Sequence, residues 1–281
     1  MDIKATDVKK LREMTGAGMM DCKKALTEAG GDFQKAEKVL KEQGLAAAAK
    51  RSGRATNEGR VFTLINEKKA GILEISCETD FVARNDDFVA LGKEIVADMV
   101  NNGVAADGPE LAVKIQNAIT TIKENMAVRR GAVMEADADE SLTDYVHGDS
   151  GRIGVIVKIK ADKPELLSQE PVASFAFDLA LHVAAFRPQF LSAETIDEKY
   201  RTEQEEIFVA QARQLDKPEN ILQGIAKGKM KKHLSEICLL EQGFVKDEKR
   251  PVSQVAKDLS KEVGGDISVT GYVYYSVGEA L

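Results

Sequence analysis

The 281-residue sequence has no tryptophan and only three cysteines, three histidines and six prolines. Its apolar stretches, such as residues 44–49, are far shorter than the roughly 20 residues that span a bilayer, which excludes a membrane helix. The first residues alternate charged and apolar side chains, so we expect no signal peptide. Cys22, Cys77 and Cys238 are scattered without CxxC spacing, a usage typical of reduced thiols. We therefore predict a soluble, cytoplasmic protein.

Recognisable catalytic and metal-binding patterns are also missing. His147, His182 and His233 have no ligand-like spacing to one another or to a cysteine. The sequence contains no GxSxG, HExxH or Walker pattern, and no GxGxxG after a predicted strand. We therefore predict a protein that is not an enzyme, with no catalytic residues, metal ligands or cofactor. The apolar neighbours of His182 predict a hydrogen-bonded, partly buried histidine, whereas His147 ends a predicted strand and is better placed for a surface contact.

The composition is that of a globular protein, with 43% hydrophobic and 30% charged residues and a net charge of −7. The length is sufficient for one large or two to three small domains. Residues 1–54 hold 12 Lys/Arg and 8 Asp/Glu, a local charge of +4, so the remainder carries −11. An acidic protein is a poor candidate for binding duplex nucleic acid, because that affinity depends on neutralising phosphates.

Residues 1–54 are predicted to form a three-helix docking head with a tether. Glycines at 16, 18, 30 and 31 separate the helices. Thr6 and Asp32 are candidate N-caps of the first and third helices, and the third is expected to stop near Gly44. Residues 46–59 predict a helical or flexible tether. The expected apolar stripes are Val8, Leu11 and Met14, then Cys22, Ala25, Leu26 and Ala29, then Phe33, Ala36 and Leu40.

From Arg60 the hydrophobic period becomes strand-like, and one order of elements occurs twice. The first set is a hairpin of residues 61–65 and 71–77 with its turn at 66–69, helices 81–100 and 110–125, and strand 128–134. The second set is a hairpin of residues 142–147 and 152–160 with its turn at 148–151, helix 172–186 and strand 267–276. The pattern predicts an α+β fold with two related antiparallel-sheet/helix subdomains, residues 55–140 and 141–281. Residues 191–232 predict a helical hairpin inserted in the second, interrupted at Asp216-Lys217-Pro218.

Two segments allow both a structural and a functional interpretation. Lys227, Lys229, Lys231 and Lys232 suit a solvated helix end, or a phosphate-binding strip without aromatic side chains for base stacking. In the segment 78–85, Thr79 or Asp80 could cap a helix. Phe81 lies seven residues before Phe88, and periodicity alone therefore places Phe81 in the core.

Two long strings resemble the elongation factor Ts family, the nucleotide-exchange factors of the GTPase elongation factor Tu. They are Leu11–Leu26 (LREMTGAGMMDCKKAL) and Cys77–Ala83 (CETDFVA). Arg152–Val155 after His147, and Lys229–Lys232, extend the resemblance over nearly the whole chain. It implies a ubiquitin-associated-like three-helix head, two core subdomains and a helical hairpin inserted in the second.

The resemblance also implies the roles of individual residues. Thr79, Asp80, Phe81 and Val82 would dislodge the Mg²⁺ ion of the partner, with Phe81 entering an apolar pocket beside the nucleotide site. Asp80 is not expected to be a magnesium ligand.

The other implied roles concern docking. Met19, Met20 and Lys23 would dock on a helix of the GTPase domain. The second subdomain and the hairpin would face another domain of the partner, with His147 as a contact.

Two departures and three alternatives accompany this resemblance. Lys123 stands where many relatives have glycine, and the sequence ends at Leu281 where some relatives continue into a helical tail, so the other surfaces are expected to hold the partner.

One alternative is an RNA-binding accessory protein using the basic head and residues 227–232. Another is a metal-dependent enzyme using Asp80, Asp86 and Asp87. The helical hairpin could also mediate homo-oligomer formation.

Overall fold

The chain folds around two three-stranded antiparallel sheets, described here from a computed structural model. The structure describes residues 3–215 and 218–280. Within them the helices are α1 (Ala5–Thr15), α2 (Met19–Glu28), α3 (Phe33–Arg51), α4 (Asp80–Ala83), α5 (Asp86–Asn102), α6 (Pro109–Ile122), α7 (Glu170–Phe186), α8 (Glu198–Arg213), α9 (Glu219–Ile237) and α10 (Val252–Val263). The strands are β1 (Glu58–Asn66), β2 (Lys69–Cys77), β3 (Met126–Glu135), β4 (Glu140–His147), β5 (Ile153–Ala161), β6 (Gly243–Phe244), β7 (Asp247–Pro251) and β8 (Ile267–Ser276).

The two sheets have the same construction. Their orders are β1-β2-β3 and β4-β5-β8, so a hairpin supplies two strands and a later segment supplies the third. Each apolar middle strand contains a register shift, between Glu74 and Ile75 in β2 and between Lys158 and Ile159 in β5. Both predicted hairpins and strand 267–276 are confirmed. The α+β fold with small antiparallel sheets is therefore as predicted.

One face of each sheet packs against the other sheet, and the opposite face carries helices. Val61, Ile72 and Ile156 are buried between the sheets. A Cβ added at Gly154 would lie 2.4 Å from Val61 Cγ1, so glycine permits this close approach. Helices α5 and α6 cover the first sheet, while α7 and α10 cover the second. The sequence interpretation missed α10, although it buries three regularly spaced apolar residues: Val252, Ala256 and Leu259.

A buried ionic network ties the end of the chain to the first sheet. The Glu74 side chain is completely buried and accepts hydrogen bonds from Arg130 Nε at 2.7 Å and from the Gly278 backbone N–H at 3.1 Å. Arg130 also donates to the Ser276 carbonyl oxygen at 3.1 Å and to Glu279 at 2.8 Å. Pairing and hydrogen bonding compensate the burial of these charges, so the network holds the segment after β8 against β2 and β3.

The N-terminal helices form a separate apolar core, and three details differ from the prediction. Helix α1 begins at Ala5 with Lys4 as N-cap, so Thr6 is not the cap. Met14 is 59% exposed, because two steps of three residues rotate it about 120° around the helix from Val8. Six buried side chains form this core: Val8, Leu11, Cys22, Ala25, Leu26 and Ala36.

Helix α3 corrects the third prediction, because it continues past Gly44 to Arg51. Asp32 caps it as predicted, accepting from the Lys35 backbone N–H at 3.1 Å. A Cβ added at Gly44 would lie 2.8 Å from Thr120 Cγ2, so glycine lets α3 approach α6 closely. The buried Ala48 belongs to the core of the first sheet. The predicted tether is therefore helical as far as Arg51 and joins the head to the sheet.

The predicted helical insertion corresponds to α8 and α9. Tyr200 and His233 link the two helices, with 3.1 Å between the hydroxyl and Nε2, and Ala212, Leu222 and Ala226 are buried near the other end. Pro218 is the N-cap of α9. Asp216 and Lys217, where the sequence predicted the interruption, lie outside the described residues.

His182 is completely buried on α7, more deeply than predicted, and its tautomer follows from its neighbours. Nδ1 accepts from the Val245 backbone N–H at 3.1 Å, so the proton resides on Nε2, which lies 2.9 Å from Gln242 Oε1. Burial lowers the pKa of this imidazole despite the opposing effect of the Gln242 hydrogen bond. His182 is therefore a neutral structural residue near pH 7.

Titration of His182 should make the protein less stable in mild acid. Because its folded pKa is lowered, the unfolded chain binds this proton at a higher pH, and stability falls as pH drops below about 6.5. One proton contributes at most about 1.4 kcal/mol per pH unit. The free energy of unfolding, measured with urea between pH 7.5 and 5.5, should change less with pH in His182→Gln than in the wild type. His147→Gln serves as an exposed-histidine control. An unchanged slope in His182→Gln would contradict this role.

Candidate partner-binding surface

The segment after β2 folds as a single helical turn separated from the next helix. Thr79 caps α4, its Oγ1 accepting from the Val82 backbone N–H at 3.3 Å. Asn85 then caps α5, its Oδ1 accepting from the backbone N–H groups of Asp87 at 2.9 Å and Phe88 at 3.3 Å. These two caps divide the predicted helix 81–100, and Phe81 therefore does not share the helical phase of Phe88.

Phe81 projects into solvent from this turn, with 82% of the residue exposed. The next two residues point inward, Val82 being half-buried and Ala83 buried against the first sheet's core. Asp80 is exposed and pairs with Arg84 at 3.6 Å. The periodicity-based placement of Phe81 in the core is therefore wrong, because the helix that it assumed is interrupted.

A carboxylate from the loop after α6 fixes the base of the turn. Glu124 accepts two hydrogen bonds from Thr79, one from the backbone N–H at 3.0 Å and one from the hydroxyl at 2.7 Å. Cys77 Sγ donates to the Thr79 carbonyl oxygen at 3.1 Å. Burial raises the pKa of the Cys77 thiol to about 12, and the thiol therefore keeps the proton that it donates. The turn is held from two sides while its aromatic tip stays free.

Asn125, which follows Glu124 in the loop, holds the segment at the end of β2. Asn125 donates its backbone N–H to Glu78 Oε1 at 2.7 Å and its side-chain amide to the Arg54 carbonyl oxygen at 2.7 Å. The sequence interpretation missed the roles of Glu124 and Asn125 in holding this segment, since it extended the predicted helix 110–125 through both residues. That helix ends at Ile122, and Lys123 adopts a left-handed conformation with φ of +68°.

A second exposed apolar surface lies on the head. Met19 and Met20, at the start of α2, are 43% and 65% exposed, and Lys23 is exposed beside them. Met14 adds a third exposed methionine from α1. Methionine side chains adapt to irregular apolar partners, so this surface suits docking against another protein.

His147 belongs to an aromatic group at the end of β4. The ring is exposed, and Nδ1 lies 2.8 Å from the Tyr145 hydroxyl oxygen. Tyr145 packs edge-on against the partly exposed Phe177 of α7, with ring centroids 5.9 Å apart. The sequence interpretation named His147 alone, although strand alternation places Tyr145 on the same face of β4.

Among the residues that the alternative functions invoke, two groups lie on α5 and α9. Asp86 and Asp87 lie in the first turn of α5, and no three His, Cys, Asp or Glu residues of the described chain are grouped to hold a metal ion. Lys227 and Lys231 border a groove of about 390 Å³ whose described lining contains no aromatic side chain. In residues 3–215 and 218–280, no helix is long and apolar enough to cross a membrane.

Removal of the exposed aromatic should leave stability almost unchanged. Phe81→Ala loses a side chain that makes little buried contact, whereas Phe88→Ala empties a completely buried site and should cost about 3–5 kcal/mol. Urea unfolding of both variants and the wild type measures this difference. A large destabilisation by Phe81→Ala would place this side chain in the core.

Comparison with known proteins identifies the family. A family model described as Elongation factor TS matches residues 78–279. The proteins named elongation factor Ts from Treponema denticola and Borrelia recurrentis are each 49% identical to this chain over 278 residues, 99% of this chain and 99% and 100% of theirs. The protein of that name from Borreliella burgdorferi (strain B31) is 44% identical over 276 residues, 98% of this chain and 99% of its own. The chain therefore belongs to the elongation factor Ts family.

Proposed function

We propose that this chain accelerates GDP release from elongation factor Tu by inserting Phe81 beside the nucleotide site of the GTPase. Family membership implies the broader role, nucleotide exchange on that GTPase during translation elongation, and with it a location in the cytoplasm. The observation that carries the finer proposal is an aromatic side chain that is 82% exposed on a turn fixed by Glu124.

The exposed side chain has the properties of an anchor residue at an interface. Complete burial of a phenylalanine contributes about 1.5–3 kcal/mol, which the free protein forgoes at this position. Thr79 is already hydrogen-bonded to Glu124, and little backbone freedom is therefore lost when a partner binds. A fixed aromatic entering an apolar pocket is the arrangement expected of an energetic hot spot.

The proposed consequence for the partner is loss of its magnesium ion. GTPases hold GDP through backbone amides, a lysine and Mg²⁺ that neutralises phosphate charge. The pocket accepts Phe81 only when neighbouring loops of the GTPase move, which displaces the ion and loosens the nucleotide. Asp80 is exposed beside Phe81, 3.6 Å from Arg84 in the free protein, and is proposed to contact the moved loops without being a magnesium ligand.

The exchange step requires no chemical bond to form or break. Binding of this chain weakens GDP binding, so by reciprocity the return of a nucleotide weakens binding of this chain. The two events form a cycle in which the factor is released unchanged. The proposed role is therefore that of a binding catalyst without its own cofactor or metal ion.

The other surfaces supply affinity and orientation in this proposal. The head, residues 1–54, docks Met19, Met20 and Lys23 on a helix of the GTPase domain. Residues 55–140 present Phe81, and residues 141–281 face another domain of the partner through His147 and the helical hairpin. The net charge of +4 on the head would steer association with an acidic partner surface and would do so less effectively at high salt.

The test is the release of a fluorescent GDP analogue from elongation factor Tu. Phe81→Ala should lower kcat/KM for exchange by about 10- to 100-fold, the factor expected when 1.5–3 kcal/mol of apolar burial is lost. Val113→Ala is the matched control, because Val113 is 55% exposed on α6 and lies outside the proposed surfaces.

Each outcome is informative. Slow release with a stably folded Phe81→Ala, and normal release with Val113→Ala, would support Phe81 as a wedge, that is, as a side chain inserted beside the nucleotide site. Normal release with Phe81→Ala would contradict it. No acceleration by the wild type would contradict the exchange role itself, and salt-dependent RNA binding without a partner protein would favour the alternative function.

A further inference from the structure

Lys123 occupies a backbone conformation that does not favour a lysine. It is the C-cap of α6, with φ of +68° and ψ of 19°, in the left-handed region where glycine or asparagine is usual. Its backbone N–H bonds to the Ile119 carbonyl oxygen, as an αL cap requires, and this bond needs no side chain. A lysine at this position therefore calls for a function of the side chain.

The side chain bridges the head and the first sheet's helices. Lys123 Nζ lies 2.9 Å from Asp21 Oδ2, and the two residues are 102 positions apart in the sequence. Gly18 provides the space for this pair, since a Cβ there would lie 2.9 Å from Asp21 Oδ2 and 3.2 Å from Lys123 Nζ. Gly16 likewise brings the turn before α2 close to Thr121 at the end of α6.

The pair spans a cleft. Asp21 and Lys123 both line an opening of about 550 Å³ between the head, α3 and α6. The close approach of Gly44 to Thr120 joins α3 to α6, while Met14 and Ala17 of the head line the opening together with Asp21. The ion pair adds a contact between α2 and the end of α6 to the connection that the continuous helix α3 makes.

Two neighbouring positions connect this pair to the proposed wedge. Lys123 holds Asp21, which lies between Met20 and Lys23 of the docking surface, and the next residue, Glu124, holds Thr79 at the base of the Phe81 turn. One short loop thus contacts both surfaces that are proposed to bind the partner. Two linked surfaces bind best when their separation and orientation already match the target.

We infer that Lys123 is a positioning residue for nucleotide exchange, which through its ion pair with Asp21 orients the docking helix α2 relative to Phe81. The inference rests on the proposed function and adds to it an element within this chain. The pair contributes to formation of the complex, because both surfaces engage at once only when the head is correctly oriented. It does not contribute to displacement of the nucleotide after binding.

Charge reversal separates this role from a direct contact with the partner. Asp21→Lys and Lys123→Glu, each alone, should raise KM for the GDP complex of elongation factor Tu by about two- to fivefold and leave kcat unchanged, the size expected of a partly exposed pair. The double variant restores the pair and the net charge of the whole chain, although the head then carries +6, and its KM should return to within about twofold of the wild-type value. The difference should shrink at 0.5 M salt because half-exposed charges are screened.

A second variant and a second measurement keep the test independent of backbone strain and of exchange activity. Lys123→Gly removes the side chain while favouring the left-handed backbone, and should raise KM as the reversals do. The distance distribution between spin labels at the exposed residues Lys24 of α2 and Lys93 of α5 should be broader in each single variant and should return to the wild-type width in the double variant.

The inference is overturned if the double reversal fails to restore KM, since the pair then does not account for the effect of the single reversals. It is also overturned if Lys123→Gly matches the wild type. An inactive wild type would contradict the proposed function, and the distance distributions of the same four variants would then still show whether the pair orients the head.

Discussion

Two hydrogen bonds from Thr79 to the Glu124 carboxylate allow the protein to keep an aromatic side chain in water at a fixed place. A four-residue helix is not stable in isolation, so the turn between β2 and α5 depends on contacts with the rest of the chain. The buried Ala83, the Asn85 cap and the Cys77 thiol complete the fixation. Phe81 is thereby presented to a partner at little entropic cost.

The rest of the fold fixes the position of this turn relative to the other surfaces that are proposed to bind the partner. Helix α3 runs without interruption from the head into the core of the first sheet, and the Lys123–Asp21 pair bridges the remaining gap. The buried Glu74 and Arg130 attach the chain end to the same sheet, and apolar packing joins the two sheets. These contacts fix the positions of the surfaces that are proposed to bind the partner.

The parts that sequence reasoning predicted are those whose signal is local. Period-two alternation and the turns at residues 66–69 and 148–151 predicted both hairpins, and the α+β class follows from them. The helix break at Asn85 was missed because apolar residues continue at helical spacing on either side of it. The ion pair of Lys123 with Asp21 has no local signal at all, since it joins residues 102 positions apart that only the tertiary fold brings together. The prediction that Phe81 contacts a partner came from the resemblance to a family and not from periodicity.

The absence of tryptophan from the sequence permits a direct test of the wedge. In Phe81→Trp, 5-fluorotryptophan gives a single ¹⁹F NMR signal from this chain, whatever the partner contains. Its H₂O/D₂O isotope shift measures contact with solvent. A large solvent shift in the free protein that disappears on binding nucleotide-free elongation factor Tu would confirm that residue 81 is exposed until the partner buries it. A signal that is already shielded in the free protein, or still exposed to solvent in the complex, would contradict the wedge.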